Sequence, residues 1–98
     1  MLTCDTLPVD LLFKALADPT RRKILDELSA HDGQTLFELC QRLLFDHQIE
    51  SSRQAISQHL DVLETADLIR VKREGRYKFH FINLEPLNAI HTRWPDKK

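Results

Sequence analysis

The residues with the clearest capacity for chemistry lie in one stretch, SSRQAISQHLDVLETADL, which spans residues 51–68. Its polar side chains are of the kinds that read nucleic acid. Glutamine can bond adenine through two atoms, serine can donate or accept at a base edge, and arginine can reach guanine or a phosphate. The residues that we predict to contact DNA from this stretch are Ser52, Arg53, Gln54, Ser57, Gln58 and His59. For His59, a purely structural role is an equally good interpretation.

The same stretch is predicted to be a helix. Ser51, followed three residues later by Gln54, has the spacing of a capping box at a helix N-terminus. Ile56, Leu60 and Leu63 recur at helical intervals and would form an apolar stripe opposite the polar residues. This pattern is also typical of an ordinary amphipathic surface helix, so the residues that follow it must decide between the two interpretations.

After Leu68 the apolar period changes from that of a helix to that of a strand, which predicts a two-stranded hairpin. The turn is placed at Glu74-Gly75, because glycine accepts a positive φ. One face is then apolar and the other basic, and His80 is interpreted as a solvated strand residue. The apolar face is predicted to consist of Ile69, Val71, Tyr77, Phe79 and Phe81.

Basic residues are concentrated in this hairpin, where five of them and a single acid lie between Arg70 and Lys78. One interpretation of charges on an edge strand is that they simply prevent pairing with other sheets. Five clustered cations beside a candidate recognition helix instead favour contact with DNA phosphates. The residues predicted to make these contacts are Lys72, Arg73, Arg76 and Lys78.

Three more helices are predicted upstream. The first covers residues 7–17, and Asp18-Pro19 then supplies an N-cap and a first helical residue for the second. The second carries three adjacent cations near its start, which are interpreted as a solvated charged turn. These cations are Arg21, Arg22 and Lys23. The third helix begins at a Thr35/Glu38 capping-box pattern and is followed by a connection at residues 46–50.

A last helix is predicted over residues 84–94, with Leu87, Ile90 and Trp94 along one apolar stripe. The first helix has a spare apolar face at Leu7 and Leu11. Burial of these faces inside a monomer is one interpretation. The other is that the two helices, residues 7–17 and 84–94, form a self-complementary dimer surface.

Length and composition indicate one globular domain, residues 1–98, because 98 residues with 42% hydrophobic side chains can form a single core. No apolar run reaches the length of a membrane span, and the N-terminus lacks a secretory signal. With two cysteines far apart in the chain, this predicts a cytoplasmic protein. The net charge of −1 conceals an asymmetry. Residues 1–50 carry five basic and nine acidic residues, whereas residues 51–98 carry nine basic and six acidic ones.

A mainly α-helical fold with a small β-hairpin, in which four helices precede the hairpin and one follows it, is a winged helix-turn-helix. Two blocks, LFKALADPTRRKILDEL and SRQAISQHLDVLETADLIRVKREGRYKFHF, resemble the ArsR/SmtB family of bacterial repressors. The resemblance covers the chain from Leu11 to Phe81. It implies a homodimer joined by its first and last helices on a palindromic DNA operator, with helix 52–66 in the major groove and hairpin 70–81 along the backbone. It also allows a small-molecule inducer.

The sequence departs from the metal-sensing members of that family. Many of these members carry two cysteines on the third helix, in the pattern ELCxC. Here the first is Cys40, and Arg42 stands in the place of the second. The last helix has only Glu85 and His91, without the family's Asp-x-His set. We therefore predict no metal site and no cofactor, and interpret Cys40 as a buried, inert thiol.

The predicted function is that of a sequence-specific DNA-binding transcriptional regulator, a dimeric repressor. Two alternatives remain: a metal- or thiol-responsive repressor acting through Cys40, and a winged-helix module that binds a protein. An enzyme is not expected, because the sequence has neither a glycine-rich phosphate loop nor the spacing of a catalytic triad.

Overall fold

The computed structural model describes residues 8–94, which form five helices and one antiparallel hairpin. The elements, in chain order, are α1 (Pro8–Leu16), α2 (Pro19–Ala30), α3 (Leu36–His47), α4 (Arg53–Thr65), β1 (Ile69–Glu74), β2 (Tyr77–Ile82) and α5 (Glu85–Arg93). This order confirms the predicted winged helix-turn-helix.

One hydrophobic core lies within the described residues and receives side chains from α1, α2, α3, α4 and the start of β1. The apolar stripe predicted for α4 is confirmed, since Ile56, Leu60 and Leu63 are all buried. The largest fully buried side chains are Leu12, Ile24, Leu28, Leu39, Leu43, Ile56, Leu63, Leu68 and Ile69. The core therefore holds the α3–α4 pair against α2 and leaves the opposite side of α4 free.

The helix starts follow the capping residues. Asp18 accepts hydrogen bonds from the amides of Thr20 (2.8 Å) and Arg21 (3.2 Å), which satisfies two of the free N–H groups at the start of α2. Thr35 and Glu38 form the reciprocal capping box predicted for α3.

The α3–α4 connection differs from the prediction. Helix α3 continues through residues 46 and 47, and the connection is residues 48–52. Gln48 ends α3 in the left-handed conformation, with φ 54°. The N-cap of α4 is Ser52, whose hydroxyl accepts from the amide of Ala55 at 3.0 Å. The capping box predicted at Ser51 and Gln54 was therefore wrong: the cap lies one residue later, and alanine stands at N3.

The hairpin turn was also displaced by one residue. Glu74 pairs with Tyr77, which places the turn at Gly75-Arg76 rather than at Glu74-Gly75. Gly75 has φ 62°, as expected for glycine at the first central position of a tight hairpin turn.

The predicted faces of the hairpin were wrong for β2. The pairing places Ile69 opposite Ile82 and Val71 opposite His80, so these four side chains share the face toward the core. Tyr77 is exposed on the other face and lies beside Phe79, with ring centroids 6.2 Å apart. His80, which we had predicted to be solvated, is 3% exposed.

Helix α5 begins later than predicted, at Glu85, and packs against α1. Leu11, Leu87 and Ile90 are half-buried at the edge of the core, whereas Trp94 is exposed. Leu7, which was predicted to join this surface, lies outside the described residues.

Candidate nucleic-acid interface

The first turns of α4 are open to solvent. Ser52, Arg53, Gln54 and Gln58 are exposed, and Ser57 is half-buried. The chain enters this helix through an exposed connection, and the buried stripe lies on the opposite side. The polar residues predicted to contact DNA therefore lie together on one accessible surface, which we call the α4 polar face: Ser52, Arg53, Gln54, Ser57 and Gln58.

Arg53 is positioned by an aromatic neighbour. Its guanidinium carbon lies 5.7 Å from the centroid of the Phe37 ring, a cation–π distance. Phe37 belongs to α3 and is itself 53% exposed. The contact joins the first turns of α3 and α4, which orients Arg53 at the surface while keeping its donors available.

His59 is less accessible to solvent than Arg53 and contacts another helix. Its Nδ1 lies 3.3 Å from Nη1 of Arg21 on α2. This side chain is half-buried between helices, so the structural role that the sequence left open is the one supported by its contacts.

The predicted solvated charged turn is confirmed for Arg22 and Lys23, which are exposed, but not for Arg21, which is half-buried. Both arginines also bond to α1. Arg21 donates from Nε to the carbonyl of Ala15 (2.9 Å) and from Nη2 to that of Lys14 (3.0 Å). Arg22 donates to the carbonyl of Leu16 at 2.6 Å. These carbonyls belong to the last turn of α1, and among the described residues only that of Lys14 also accepts from a backbone amide, that of Ala17 at 3.3 Å, so the two arginines serve as the C-terminal cap of α1.

Asp18 completes this junction. Burial by itself would raise the pKa of the Asp18 carboxyl, but the amide donors of Arg21 and Thr20, together with the nearby His59 and Arg21 charges, outweigh it and lower the pKa. Asp18 therefore remains a carboxylate, which strengthens its capping of α2.

The hairpin divides its cations between two faces. The pairing of Arg73 with Lys78 places both side chains on the face that continues from the core, whereas Lys72 pairs with Phe79 on the other face. Arg76 lies in the turn. The single basic face that we predicted is therefore wrong, although the cations do cluster at the tip.

The hairpin cations also differ in whether they form ion pairs. Lys72 lies 3.6 Å from Glu74, and Arg70 lies 3.5 Å from Asp67 and 3.4 Å from Glu85. Within residues 8–94, no carboxylate oxygen lies within 4.0 Å of Arg73, Arg76 or Lys78. We call these three residues the hairpin-tip cations. Their charge is available to an external anion.

A pocket of about 280 Å³ separates the hairpin from the α3–α4 pair. Its lining includes Ser57 of the α4 polar face together with Arg76 and Lys78 of the hairpin tip. The α4 polar face and the hairpin-tip cations therefore border one shared concavity.

Sequence reasoning missed a buried polar cluster behind this surface. Glu27 of α2 is 3% exposed and accepts from Nε2 of Gln34 at 3.0 Å. His47 Nε2 lies 3.3 Å from one Glu27 oxygen, and Arg42 Nε lies 3.7 Å from the other. The signal was present, because Glu27 lies between Ile24 and Leu28 on the inward face of α2.

Cys40 is half-buried on α3, and burial raises the pKa of its thiol, an effect that the charge of Arg53 partly opposes. A raised pKa disfavours the thiolate, the form that binds metals and attacks oxidants. Within residues 8–94 no three His, Cys, Asp or Glu side chains are grouped closely enough to hold a metal ion. In the same part of the chain, every helix is too short or too polar to cross a membrane.

This geometry defines a class of protein: a winged helix-turn-helix DNA-binding domain, with an exposed polar helix and a cationic hairpin beside it. A family model described as a helix-turn-helix domain matches residues 16–72. The chain is 48% identical over 85 residues to the HTH-type transcriptional regulator YuzN of Bacillus subtilis, covering 87% of this chain and 92% of YuzN. It is 36% identical to the transcriptional repressor SdpR of the same organism, covering 74% and 72% of the two chains.

Solved structures agree. An ArsR family transcriptional regulator of known crystal structure superposes with a TM-score of 0.75 at 28% identity, covering 94% of this chain and 88% of the other. An ArsR-like regulator from Rhodococcus sp. RHA1 gives 0.73 at 30% identity, covering 88% and 74%. The chain belongs to the ArsR family of winged helix-turn-helix regulators, and it is a DNA-binding transcriptional regulator. Transcriptional regulators of this family are not a class of enzyme.

Proposed function

We propose that the protein is a homodimeric repressor that binds a two-fold symmetric DNA operator, with the whole chain, residues 1–98, acting as one DNA-binding domain. Each subunit places α4 in a major groove and the hairpin along the adjacent backbone. The observation that carries the proposal is the arrangement of the α4 polar face beside the hairpin-tip cations, because base-reading and phosphate-binding groups must meet the same duplex.

Base recognition is assigned to the exposed long side chains of α4. Gln54 and Gln58 lie one helical turn apart and can each bond an adenine in the major groove. Arg53, held over Phe37, is assigned to guanine or to a phosphate at the groove edge. Ser52 and Ser57 are shorter and contribute single hydrogen bonds.

Backbone contact is assigned to the hairpin-tip cations, Arg73, Arg76 and Lys78. They have no acidic neighbour within 4.0 Å among the described residues, so binding a phosphate breaks no existing ion pair. Lys72 is a weaker contributor. Its exposed pair with Glu74 contributes little stability, about 0–1 kcal/mol, and can be exchanged for a phosphate.

Dimerisation is assigned to α1 and α5. Leu11, Leu87 and Ile90 are half-buried along these packed helices, and Trp94 beside them is 61% exposed. An exposed tryptophan next to half-buried aliphatic residues is the composition of an interface centre. Pairing two copies through this surface would present two α4 helices to successive major grooves.

Repression is the regulatory direction that we propose, since SdpR is named as a transcriptional repressor and shares 36% identity with this chain. A dimer seated on a promoter would exclude the transcription machinery. The protein would act in the cytoplasm, where DNA is accessible.

The test begins with selection of bound duplexes from a random pool by the full-length protein. We expect an inverted repeat whose half-site centres lie about 10 bp apart or a multiple of that. Fluorescence anisotropy should then give salt-sensitive binding with a stoichiometry of one dimer per duplex. Failure to bind any duplex at low salt would refute the proposal and favour a protein partner instead.

A further inference from the structure

The pocket between the hairpin and the α3–α4 pair has mainly apolar walls. Leu36 and Phe37 of α3, Leu60 of α4 and Tyr77 of β2 supply them. Its volume of about 280 Å³ is slightly below the range of about 300–1,000 Å³ that is typical of small-molecule sites. It would hold roughly one substituted aromatic ring.

One buried polar side chain lines this pocket and retains an unused hydrogen-bonding atom. His80 is 3% exposed, and its Nδ1 lies 2.9 Å from the carbonyl oxygen of Gln34. A carbonyl only accepts, so Nδ1 carries the proton and Nε2 presents a lone pair. Burial lowers the pKa of this imidazole, against the opposing effect of the Gln34 carbonyl, so the neutral ring prevails at neutral pH.

His80 lines the pocket, and its ring nitrogen Nε2 has no hydrogen bond among the described residues. Among the described residues, the one enclosed side-chain nitrogen or oxygen without a partner is Oε1 of Gln34. Nε2 of His80 is not such an enclosed atom, and we therefore take the pocket that His80 lines as the space that Nε2 faces. A neutral imidazole acceptor inside an apolar concavity is complementary to a ligand with one hydrogen-bond donor.

We propose that this pocket is a small-molecule site for a single-ring aromatic compound that carries a hydroxyl or N–H group, with the donor on Nε2 of His80 and the ring among Leu36, Phe37 and Leu60. A phenol has this chemistry. Arg76 and Lys78 at the rim could bind an additional acidic substituent on the ring. Asp61 on the same rim limits how much negative charge is favourable.

Occupancy would reduce DNA binding, a consequence that rests on the proposed function. Ser57, Arg76 and Lys78 line the pocket and are also assigned to DNA. A ligand that holds the side chains of these residues inward competes with a duplex for them. Because such coupling is reciprocal, bound DNA should lower the affinity for the ligand by the same factor.

The experiment uses phenol as the probe and anisole as its matched control, since anisole keeps the ring and the oxygen but has no donor. Full-length, DNA-free protein labelled with ¹⁵N is titrated with each compound. We expect phenol to saturate one site, with the largest imidazole shift at Nε2 of His80. Anisole should bind roughly five-fold more weakly than phenol, which is the effect of one lost hydrogen bond. Equal affinities, or shifts that spread over the surface without saturating, would overturn the site.

Two histidine variants sharpen the test. His80→Asn keeps an amide donor for the Gln34 carbonyl but removes Nε2, so the preference for phenol over anisole should disappear. His31→Asn is the matched control, because His31 is exposed and outside the pocket, and the preference should persist. If His80→Asn folds and still prefers phenol, the assignment is wrong. If it does not fold, the comparison of phenol with anisole on the unaltered protein still decides.

A DNA titration separates this proposal from the proposed function. Phenol at saturation should weaken operator binding by the unaltered protein several-fold, and anisole at the same concentration should not. Unchanged operator affinity with phenol bound would overturn the competition. Absence of operator binding without any probe would refute the proposed function, while saturable phenol binding to DNA-free protein would still support the site.

Discussion

His80 and Gln34 are joined by three hydrogen bonds. The Nδ1 and the backbone amide of His80 both donate to the Gln34 carbonyl at 2.9 Å, and the Gln34 amide donates back to the His80 carbonyl at 3.2 Å. Gln34 immediately precedes the capping residue of α3, and His80 lies in the middle of β2. The bonds therefore connect the hairpin to the start of the helix-turn-helix, which fixes the distance between the two parts of the DNA-binding surface.

Stability should fall in mild acid because of His80. Its folded pKa lies below the unfolded value, mainly through burial and also through the charge of Lys78, against the Gln34 carbonyl and the charge of Glu64. As the pH falls, the unfolded chain therefore binds a proton at His80 before the folded chain does. The contribution of the neutral, buried His80 to the unfolding free energy is lost as the pH falls from about 6.5 toward the lower folded pKa. Urea unfolding of the protein and of His80→Asn between pH 7.5 and 5 should show a smaller acid loss in the variant. An equal loss would mean that His80 is not responsible. His31→Asn serves as the control.

Base specificity should depend on Gln58. Gln58→Ala removes one side chain that we assign to adenine, a contact with about 1–3 kcal/mol of discrimination, so operator affinity should fall roughly ten-fold per half-site. Binding to unrelated duplex should change little. Anisotropy titrations on both duplexes would measure this. Gln41→Ala, which alters an exposed glutamine of α3, should affect neither, and equal losses on both duplexes would contradict a base-reading role.

The salt dependence should depend on Arg76. Arg76→Ala should weaken operator and unrelated DNA alike, because phosphate contacts carry no sequence information. In a dimer it removes two phosphate contacts, so the slope of log K against log salt should become shallower by about 2. Arg70→Ala is the matched control, since Arg70 is already paired with Asp67 and Glu85. A slope that is unchanged in Arg76→Ala would remove the hairpin tip from the interface.

The association state should depend on Trp94. Because this side chain is 61% exposed, Trp94→Ala should leave the subunit folded, as far-UV circular dichroism would show, while shifting the protein toward monomer in light scattering after gel filtration. Phe45→Ala, which removes another exposed aromatic residue, should remain dimeric. A dimer constant unaffected by Trp94→Ala would place the interface elsewhere.

Folding stability should depend on Glu27. Glu27→Ala removes the carboxylate that accepts from the buried Gln34 amide, which keeps the His31 carbonyl as an acceptor at 2.6 Å. It also removes the acidic neighbour of His47 and one of the two acidic neighbours of Arg42, so the unfolding free energy should fall by about 1–3 kcal/mol. Glu64→Ala, at an exposed helical position, should change it by less than about 0.5 kcal/mol. Equal effects of the two substitutions in urea unfolding would show that the cluster contributes no specific stability.

The sequence by itself determined the order of elements, the buried stripe of α4 and the accessibility of its polar face. These features are local, because helical periodicity and capping residues act over one or two turns. Which residues share a face of the hairpin could also have been predicted from the sequence. Any two-residue turn pairs odd-numbered positions of β1 with even-numbered positions of β2, so Ile69 and Val71 could never share a face with Phe79 and Phe81.

Only the tertiary structure decided which polar groups serve the fold and which remain free. Arg21 and Arg76 are both arginines in basic clusters, but one caps α1 and the other projects from a turn without an acidic neighbour among the described residues. His80 became buried because its pairing partner Val71 faces the core and the Gln34 carbonyl lies within reach. These outcomes depend on contacts between residues far apart in the chain, which no local pattern of residue types specifies.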